Sequence, residues 1–131
     1  MDTDVINRAC VKALASPFQW GFHDCCSFVC DVLDEVTGRD PMADLRGSYS
    51  SEEEALAALG VAGLVATVMR LASEQGFKRV EFPFVGAFFG LVSTPKGPAM
   101  ALFLGDKWVA RAETGILTMP LRNGFLAWAL N

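Results

Sequence analysis

Residues 20–38 carry the strongest indication of the fold, and they read WGFHDCCSFVCDVLDEVTG. Asp24 is a favoured N-cap residue and Gly38 is a favoured residue just past a helix end, so a helix is expected between them. Its apolar stripe is predicted to consist of Cys25, Phe28, Val29, Val32 and Val36. A thiol in the first helical turn is stabilised as thiolate by the helix dipole and free backbone N–H groups. Cys25 is therefore a candidate nucleophile, although a cysteine on an apolar stripe is also a common small core residue.

Helical patterns precede strand patterns along the chain. Apolar spacing and capping residues predict helices at about 4–15, 24–36, 51–60 and 62–74. Short apolar segments separated by turn residues then predict strands at 80–82, 87–92, 100–104, 108–110 and 116–119. Residues 121–131 form either a last strand or an arm that docks on a neighbour. The chain is thus predicted to be one α+β domain over 1–131, helical to about 76 and a β-meander from about 77.

Composition limits the classes of function. The 131 residues are 52% hydrophobic and 20% charged, which indicates a folded chain whose apolar residues fill a core or meet a partner. The net charge of −4 argues against electrostatic nucleic-acid binding. Residues 1–60 carry a net −7 and residues 61–131 a net +3. This division is either ordinary solvated surface or the dipole of a molecule that stacks head to tail.

The N-terminus and the cysteines bear on localisation. Met1-Asp2-Thr3-Asp4 lacks the basic and apolar regions of a signal peptide, and no run of 18 apolar residues predicts membrane insertion. The four cysteines are Cys10, Cys25, Cys26 and Cys30. Their spacing fits neither a secreted disulfide framework nor a C-x-x-C zinc site. We expect reduced thiols in a protein assembled in the cytoplasm, with no metal and no cofactor.

Several segments resemble one family. Trp20-Gly21 and the run from Asp24 to Val29 resemble the Asp-Cys-Ser-Gly-Phe motif of NlpC-type cell-wall peptidases, which are papain-like cysteine hydrolases. The run AMALFLGD at 99–106 resembles their His-Val-Gly-Ile-Tyr-Leu-Gly-Asp strand. With TGRDP at 37–41 and LRGSY at 45–49, the chain resembles the small NlpC-like proteins encoded in tail modules of siphophages and gene transfer agents. The resemblance covers most of residues 17–120, and Arg-Gly-x-Tyr is its most specific part.

The resemblance implies a papain-like NlpC-type fold, with N-terminal helices packed on a C-terminal antiparallel sheet. It implies Cys25 as nucleophile and a histidine base at the position of Ala99. It also implies a polar group near 110–113 that orients the base, and no residue there clearly matches. His23, the one histidine of the chain, precedes the helix and would have to fold back over the helix start to act as base. Otherwise it caps the helix, packs beside Trp20 and Phe22, or is an exposed loop residue.

Four residues are predicted to bind a ligand or partner, namely Asp24, Arg46, Tyr49 and Trp20. Arg46 and Tyr49 lie in a loop, where functional residues are common. The structural alternatives are that Arg46 ties the loop to Asp40 or Asp44, that Tyr49 pins it to the core, and that Trp20 is a core or rim aromatic. Most of the phenylalanines at 82, 84, 88 and 89 are expected in the core, with one or two meeting a partner.

Three functions follow as alternatives. The first is a catalytically inactive structural component of a phage-like tail tip or hub, located in the virion tail and bound to other tail proteins. The second is an active cysteine peptidase that cleaves peptidoglycan, with Cys25 as nucleophile and either His23 or a neighbouring chain's histidine as base. The third is a small cytosolic binding protein that uses the cleft left by the missing histidine. None of them uses nucleic acid, membrane insertion, a cofactor or a metal.

Overall fold

The computed structural model describes residues 4–60 and 63–131, in which four helices are followed by an antiparallel sheet. The helices are α1 (Asp4–Ala15), α2 (Cys25–Thr37), α3 (Glu52–Leu59) and α4 (Gly63–Glu74). The strands are β1 (Lys78–Arg79), β2 (Phe89–Thr94), β3 (Gly97–Phe103), β4 (Lys107–Ala112), β5 (Gly115–Pro120) and β6 (Gly124–Ala129), with a short 3-10 turn at Leu121–Asn123. The predicted α+β class is confirmed. The predicted first residue of the fourth helix, Ala62, lies outside the described residues.

Helix α2 begins and ends at the predicted caps. The Asp24 side chain accepts a hydrogen bond from the Ser27 backbone N–H at 2.9 Å, and Ser27 Oγ accepts one from the Asp24 N–H at 2.7 Å. This reciprocal pair satisfies N–H groups that have no partner inside the helix. At the other end Gly38 adopts a left-handed backbone with φ 72°, and its N–H bonds the Asp34 carbonyl.

The predicted stripe of α2 is wrong at one end. Val36 is 43% exposed, whereas Cys30 and Leu33 are buried. The helix packs against both α1 and the sheet. Burying it on two sides rotates its apolar face toward Leu33 and turns Val36 outward.

The sheet is only partly a meander. Its strand order is β1-β6-β2-β3-β4-β5, so β2 to β5 follow one another but β6 returns to lie between β1 and β2. The predicted meander is corrected accordingly, and residues 124–129 are a central strand rather than an arm. The strand predicted at 80–82 is also wrong. Val80 still donates to the Ala127 carbonyl, but the chain then turns away before Pro83, which has no N–H to donate.

Two buried clusters lie against the sheet. The larger combines side chains of the helices with those of the strands, including Phe89, Leu102 and Trp128. The second contains side chains of β2, β3, β4 and β6, together with Phe84 and Ala87 of the loop that follows β1. Among the described residues, the second face of the sheet is therefore covered by this loop and by none of the helices α1 to α4.

Trp108 has space in the second cluster because two glycines lie beneath it. A Cβ atom added at Gly90 would lie 2.8 Å from Trp108 Cη2, and one at Gly124 would lie 2.6 Å from Trp108 Nε1. Both distances are shorter than van der Waals contact. The indole N–H donates to the Leu121 carbonyl at 3.1 Å.

Candidate functional site

Cys25 is the first residue of α2, and its position is set by Asp24. The Asp24 carboxylate is buried and accepts three hydrogen bonds, from the backbone N–H groups of Gly21 and Ser27 and from the Tyr49 hydroxyl. The two N–H distances are 2.8 and 2.9 Å, and the hydroxyl distance is 2.7 Å. With both oxygens engaged as acceptors, Asp24 anchors the helix start and is poorly placed to take a proton from Cys25.

The sheet opens beside Cys25. β2 and β3 pair over six residues, as do β4 and β5, but β3 and β4 pair only at Leu102↔Val109 and Phe103↔Trp108. Beyond these two pairs the facing edges of β3 and β4 are not joined to each other. Met100 lies on the open part of β3, and its backbone lowers the pKa of the Cys25 thiol. The first turn of α2 therefore lies against this opening.

The Cys25 thiol is more acidic than an ordinary thiol. A hydrogen bond from the Cys26 thiol, whose sulfur lies 3.9 Å away, lowers the pKa of Cys25. Burial opposes this effect, and the Met100 backbone adds to the lowering. The same hydrogen bond, together with burial, raises the pKa of Cys26 well above its ordinary value. These opposite shifts make Cys25 the more acidic thiol of the pair and Cys26 the one that keeps its proton more readily.

Cys25 and Cys26 line a cavity of about 650 Å³ between the α3–α4 helices and the opening of the sheet. The cavity wall is mainly apolar. Ala99, the neighbour of Met100 in β3, lines this cavity. Trp20, Tyr49 and Asp24 line the cavity as well. The structure thus brings five of the predicted site residues to one cavity, which we call the thiol cavity: Trp20, Asp24, Cys25, Tyr49 and Ala99.

His23 lies elsewhere. It is absent from the described wall of the thiol cavity and instead lines a second cavity of about 440 Å³ between α1 and α2. Its backbone is fixed by a short bridge with Gln19, in which the His23 N–H donates at 2.7 Å and the His23 carbonyl accepts at 3.0 Å. The structure does not bring His23 into the cavity of Cys25, as a base role would need.

Arg46 anchors its own loop. Its guanidinium contacts Asp40 at 2.6 Å and Asp31 of α2 at 2.8 Å. The predicted structural alternative is therefore observed for Asp40, with Asp31 as the second partner in place of Asp44. Tyr49 is 6% exposed and pins the loop to Asp24. Binding of a ligand by these residues stays a prediction.

Sequence reasoning missed three contributors to the site. Cys26 was predicted only to be one of four reduced thiols, although its sulfur lies 3.9 Å from that of Cys25 and shifts the pKa of Cys25. Met100 contributes through its backbone, and a backbone contribution cannot be predicted from the type of side chain. Arg111 is buried in the wall of both cavities, and its one visible signal was a basic residue between the apolar residues of a strand.

The described residues also bear on metal binding and membrane insertion. Among residues 4–60 and 63–131, no group of three or more His, Cys, Asp or Glu side chains is arranged to hold a metal ion. Within the same residues no single helix is long and apolar enough to cross a membrane. One pair, α3 and α4, meets the length and composition criteria together, with a bend of 54° between the helices.

Comparison with known proteins gives one match. The profile of the family described as "Domain of unknown function (DUF6950)" matches residues 3–130. The chain belongs to this family. The match spans the thiol cavity and both caps of α2, so the site described above lies within the DUF6950 domain. Neither the curated proteins nor the solved structures contain a significant match to the chain.

Proposed function

We propose that this DUF6950 protein is a structural component of a phage-like tail tip, built on an NlpC-like fold in which Cys25 has lost its catalytic role. Its partners are other tail-tip or hub proteins, and its location is the virion tail. The proposal starts from the motifs around Cys25 and from the Arg-Gly-x-Tyr segment, which resemble tail-module proteins. The order of helices followed by an antiparallel sheet is compatible with it.

One observation carries the loss of catalysis: the chain's single histidine lies outside the cavity of Cys25. His23 lines the cavity between α1 and α2, and Ala99 occupies the strand position where the resemblance expects the base. A positioned general base contributes about 10²–10⁴-fold to a rate, or roughly 3–5 kcal/mol of barrier. Without it the second half of a hydrolysis, in which water attacks the acyl-enzyme, has no proton acceptor.

Exposed apolar residues support a role in assembly. Phe82 is 65% exposed and Val85 is 81% exposed, and both lie on the loop that Phe84 anchors in the second cluster. A buried anchor between two exposed apolar side chains fixes their position on the surface. Exposed apolar residues held in this way are suited to a protein interface.

The composition of purified particles tests the proposal. Tail particles are isolated from the strain that encodes the chain, and each protein is quantified by mass spectrometry. We expect the chain in a fixed ratio to the other tail proteins, retained through a high-salt wash. Its absence from the particles, with a soluble monomer in the cytosol, would contradict the proposal and favour a cytosolic binding protein.

The lowered pKa of Cys25 favours a second candidate, a cysteine peptidase acting on peptidoglycan. A cysteine that lines an open cavity and has a lowered thiol pKa meets the first requirement of such an enzyme. The test is release of new amino groups from purified peptidoglycan by the wild-type protein, with Cys25→Ser and Cys10→Ser as controls. Release that disappears in Cys25→Ser alone would support the peptidase, and release equal to the buffer blank would exclude it.

A further inference from the structure

Arg111 is a buried cation without a carboxylate partner among the residues that the structure describes. It is 7% exposed, and among the described residues no acidic side chain lies within ion-pair distance of it. One nitrogen, Nη2, donates to the Ser16 carbonyl, and the guanidinium carbon lies 6.0 Å from the centre of the Phe18 ring. Ser16 directly follows α1, so the partial negative charge of that helix end contributes as well. Buried cations are usually paired with a full negative charge.

The remaining donors of Arg111 have no hydrogen-bond partner among the described residues. A guanidinium carries five N–H donors, and the hydrogen bond to Ser16 uses Nη2 alone. Among the described residues no fully buried side-chain nitrogen lacks a hydrogen-bond partner. The other two nitrogens of Arg111 therefore reach a cavity surface, and Arg111 lies in the walls of both cavities.

The two cavities differ in how well they could accept a carboxylate. The smaller one is lined by Asp31, Asp34 and Glu35 as well as by cations, so a further carboxylate there would meet like charge. The thiol cavity is mainly apolar, and its acidic residues are the fully hydrogen-bonded Asp24 and the exposed Glu52 and Glu113. Its volume of about 650 Å³ lies within the ~300–1,000 Å³ typical of small-molecule sites.

We propose that the thiol cavity binds a long-chain carboxylate, with its head group on Arg111 and its alkyl chain along the apolar wall. A carboxylate accepts two parallel N–H bonds from a guanidinium, and the pair restores neutrality to a buried charge. Transfer of the alkyl chain from water to the apolar wall is favourable in proportion to the apolar surface that it buries. This inference stands apart from the tail-tip role, because it concerns the occupant of the cavity and not the partners of the surface.

The first experiment compares ligands on the unchanged protein. Dodecanoate, dodecan-1-ol and dodecyltrimethylammonium are titrated below their micellar range, and iodoacetamide labelling of Cys25 and Cys10 is followed in the same samples. We expect dodecanoate to bind about 10- to 100-fold more tightly than the alcohol, in line with one charge-assisted hydrogen-bonded pair. Because Cys25 lines only the thiol cavity, bound dodecanoate should protect Cys25 and leave Cys10 labelling unchanged.

The second experiment changes the protein. Arg111→Gln should lower dodecanoate affinity toward that of the alcohol, whereas Arg122→Gln, an exposed control, should leave it unchanged. Equal binding of acid and alcohol would overturn the proposal, as would dodecanoate binding without protection of Cys25. If Arg111→Gln does not fold, the comparison of ligands on the wild-type protein still decides the question. Failure of the carboxylate-binding proposal would leave the outcome of the tail-particle test unaffected.

Discussion

The Tyr49 hydroxyl donates a 2.7 Å hydrogen bond to Asp24 Oδ2 and so joins the loop at residue 49 to the residue that caps α2. Burial and this hydrogen bond raise the pKa of Tyr49, which therefore remains a donor at neutral pH. The start of α2, and with it Cys25, is held from a distant part of the chain.

Tyr49→Phe tests this anchor. The change removes the hydroxyl and leaves a buried carboxylate one donor short, so we expect a loss of about 1.5–3 kcal/mol in the free energy of unfolding. Urea denaturation gives the value. Ser48→Ala is the matched control in the same loop, since Ser48 is exposed and bonds only the nearby Leu45 carbonyl. Equal stability of Tyr49→Phe and wild type would show that the hydrogen bond does not anchor the helix start.

The hydrogen bond between the adjacent thiols predicts a difference between two substitutions of Cys26. Cys26→Ala removes the donor, so the pKa of Cys25 should rise and its alkylation at pH 7 should slow. Cys26→Ser keeps a donor and should stay closer to wild type. The measurement is the iodoacetamide rate at Cys25 between pH 6 and 10, read by peptide mass spectrometry.

The directions of the pKa shifts of Cys25 and Cys10 fix how their alkylation should depend on pH. The pKa of Cys25 is lowered, so its labelling should reach half of its maximum at a lower pH than that of Cys10, whose pKa is raised by burial. In Cys26→Ala the two profiles should move closer together. Identical Cys25 profiles in wild type and Cys26→Ala would contradict the donor role of Cys26.

Gly124→Ala tests the contact beneath Trp108. The added methyl would lie 2.6 Å from three atoms of the indole, so we expect destabilisation of about 1–3 kcal/mol. Trp108→Phe shortens the ring, and the double variant should lose less stability than the two single variants together. Strictly additive losses in urea denaturation would show that the clash is not with Trp108.

Substitutions in the exposed loop that holds Phe82 and Val85 should impair assembly and leave the protein folded. Phe82→Ser with Val85→Ser removes two largely exposed apolar side chains, together with the edge-on contact of Phe82 with the Phe84 ring at 5.5 Å. The free energy of unfolding should therefore fall by no more than about 1.5 kcal/mol. Incorporation of the chain into tail particles should fall, while Val11→Ser with Leu14→Ser, two exposed apolar residues of α1, serves as the control. Normal incorporation of the Phe82/Val85 variant would remove this loop from the interface.

Local sequence signals predicted much of the fold. The caps Asp24, Gly38 and Ser51 act over a few residues, so α2 and α3 could be placed closely. The return of β6 between β1 and β2 could not be predicted, because strand order depends on contacts between distant residues. For the site, Cys25 and Ala99 were found from the motif. Arg111 and Met100 were not, since one acts through its tertiary surroundings and the other through its backbone.

The central claim is that Cys25 lies in a tail protein and has no catalytic task there. The most direct measurement is delivery of packaged DNA to recipient cells by particles from a deletion strain complemented with Cys25→Ser, compared with wild type and Cys10→Ser. We predict equal delivery by all three and none by the deletion strain. Delivery by Cys25→Ser that falls to the level of the deletion strain, with the variant still present in the particles, would contradict the account.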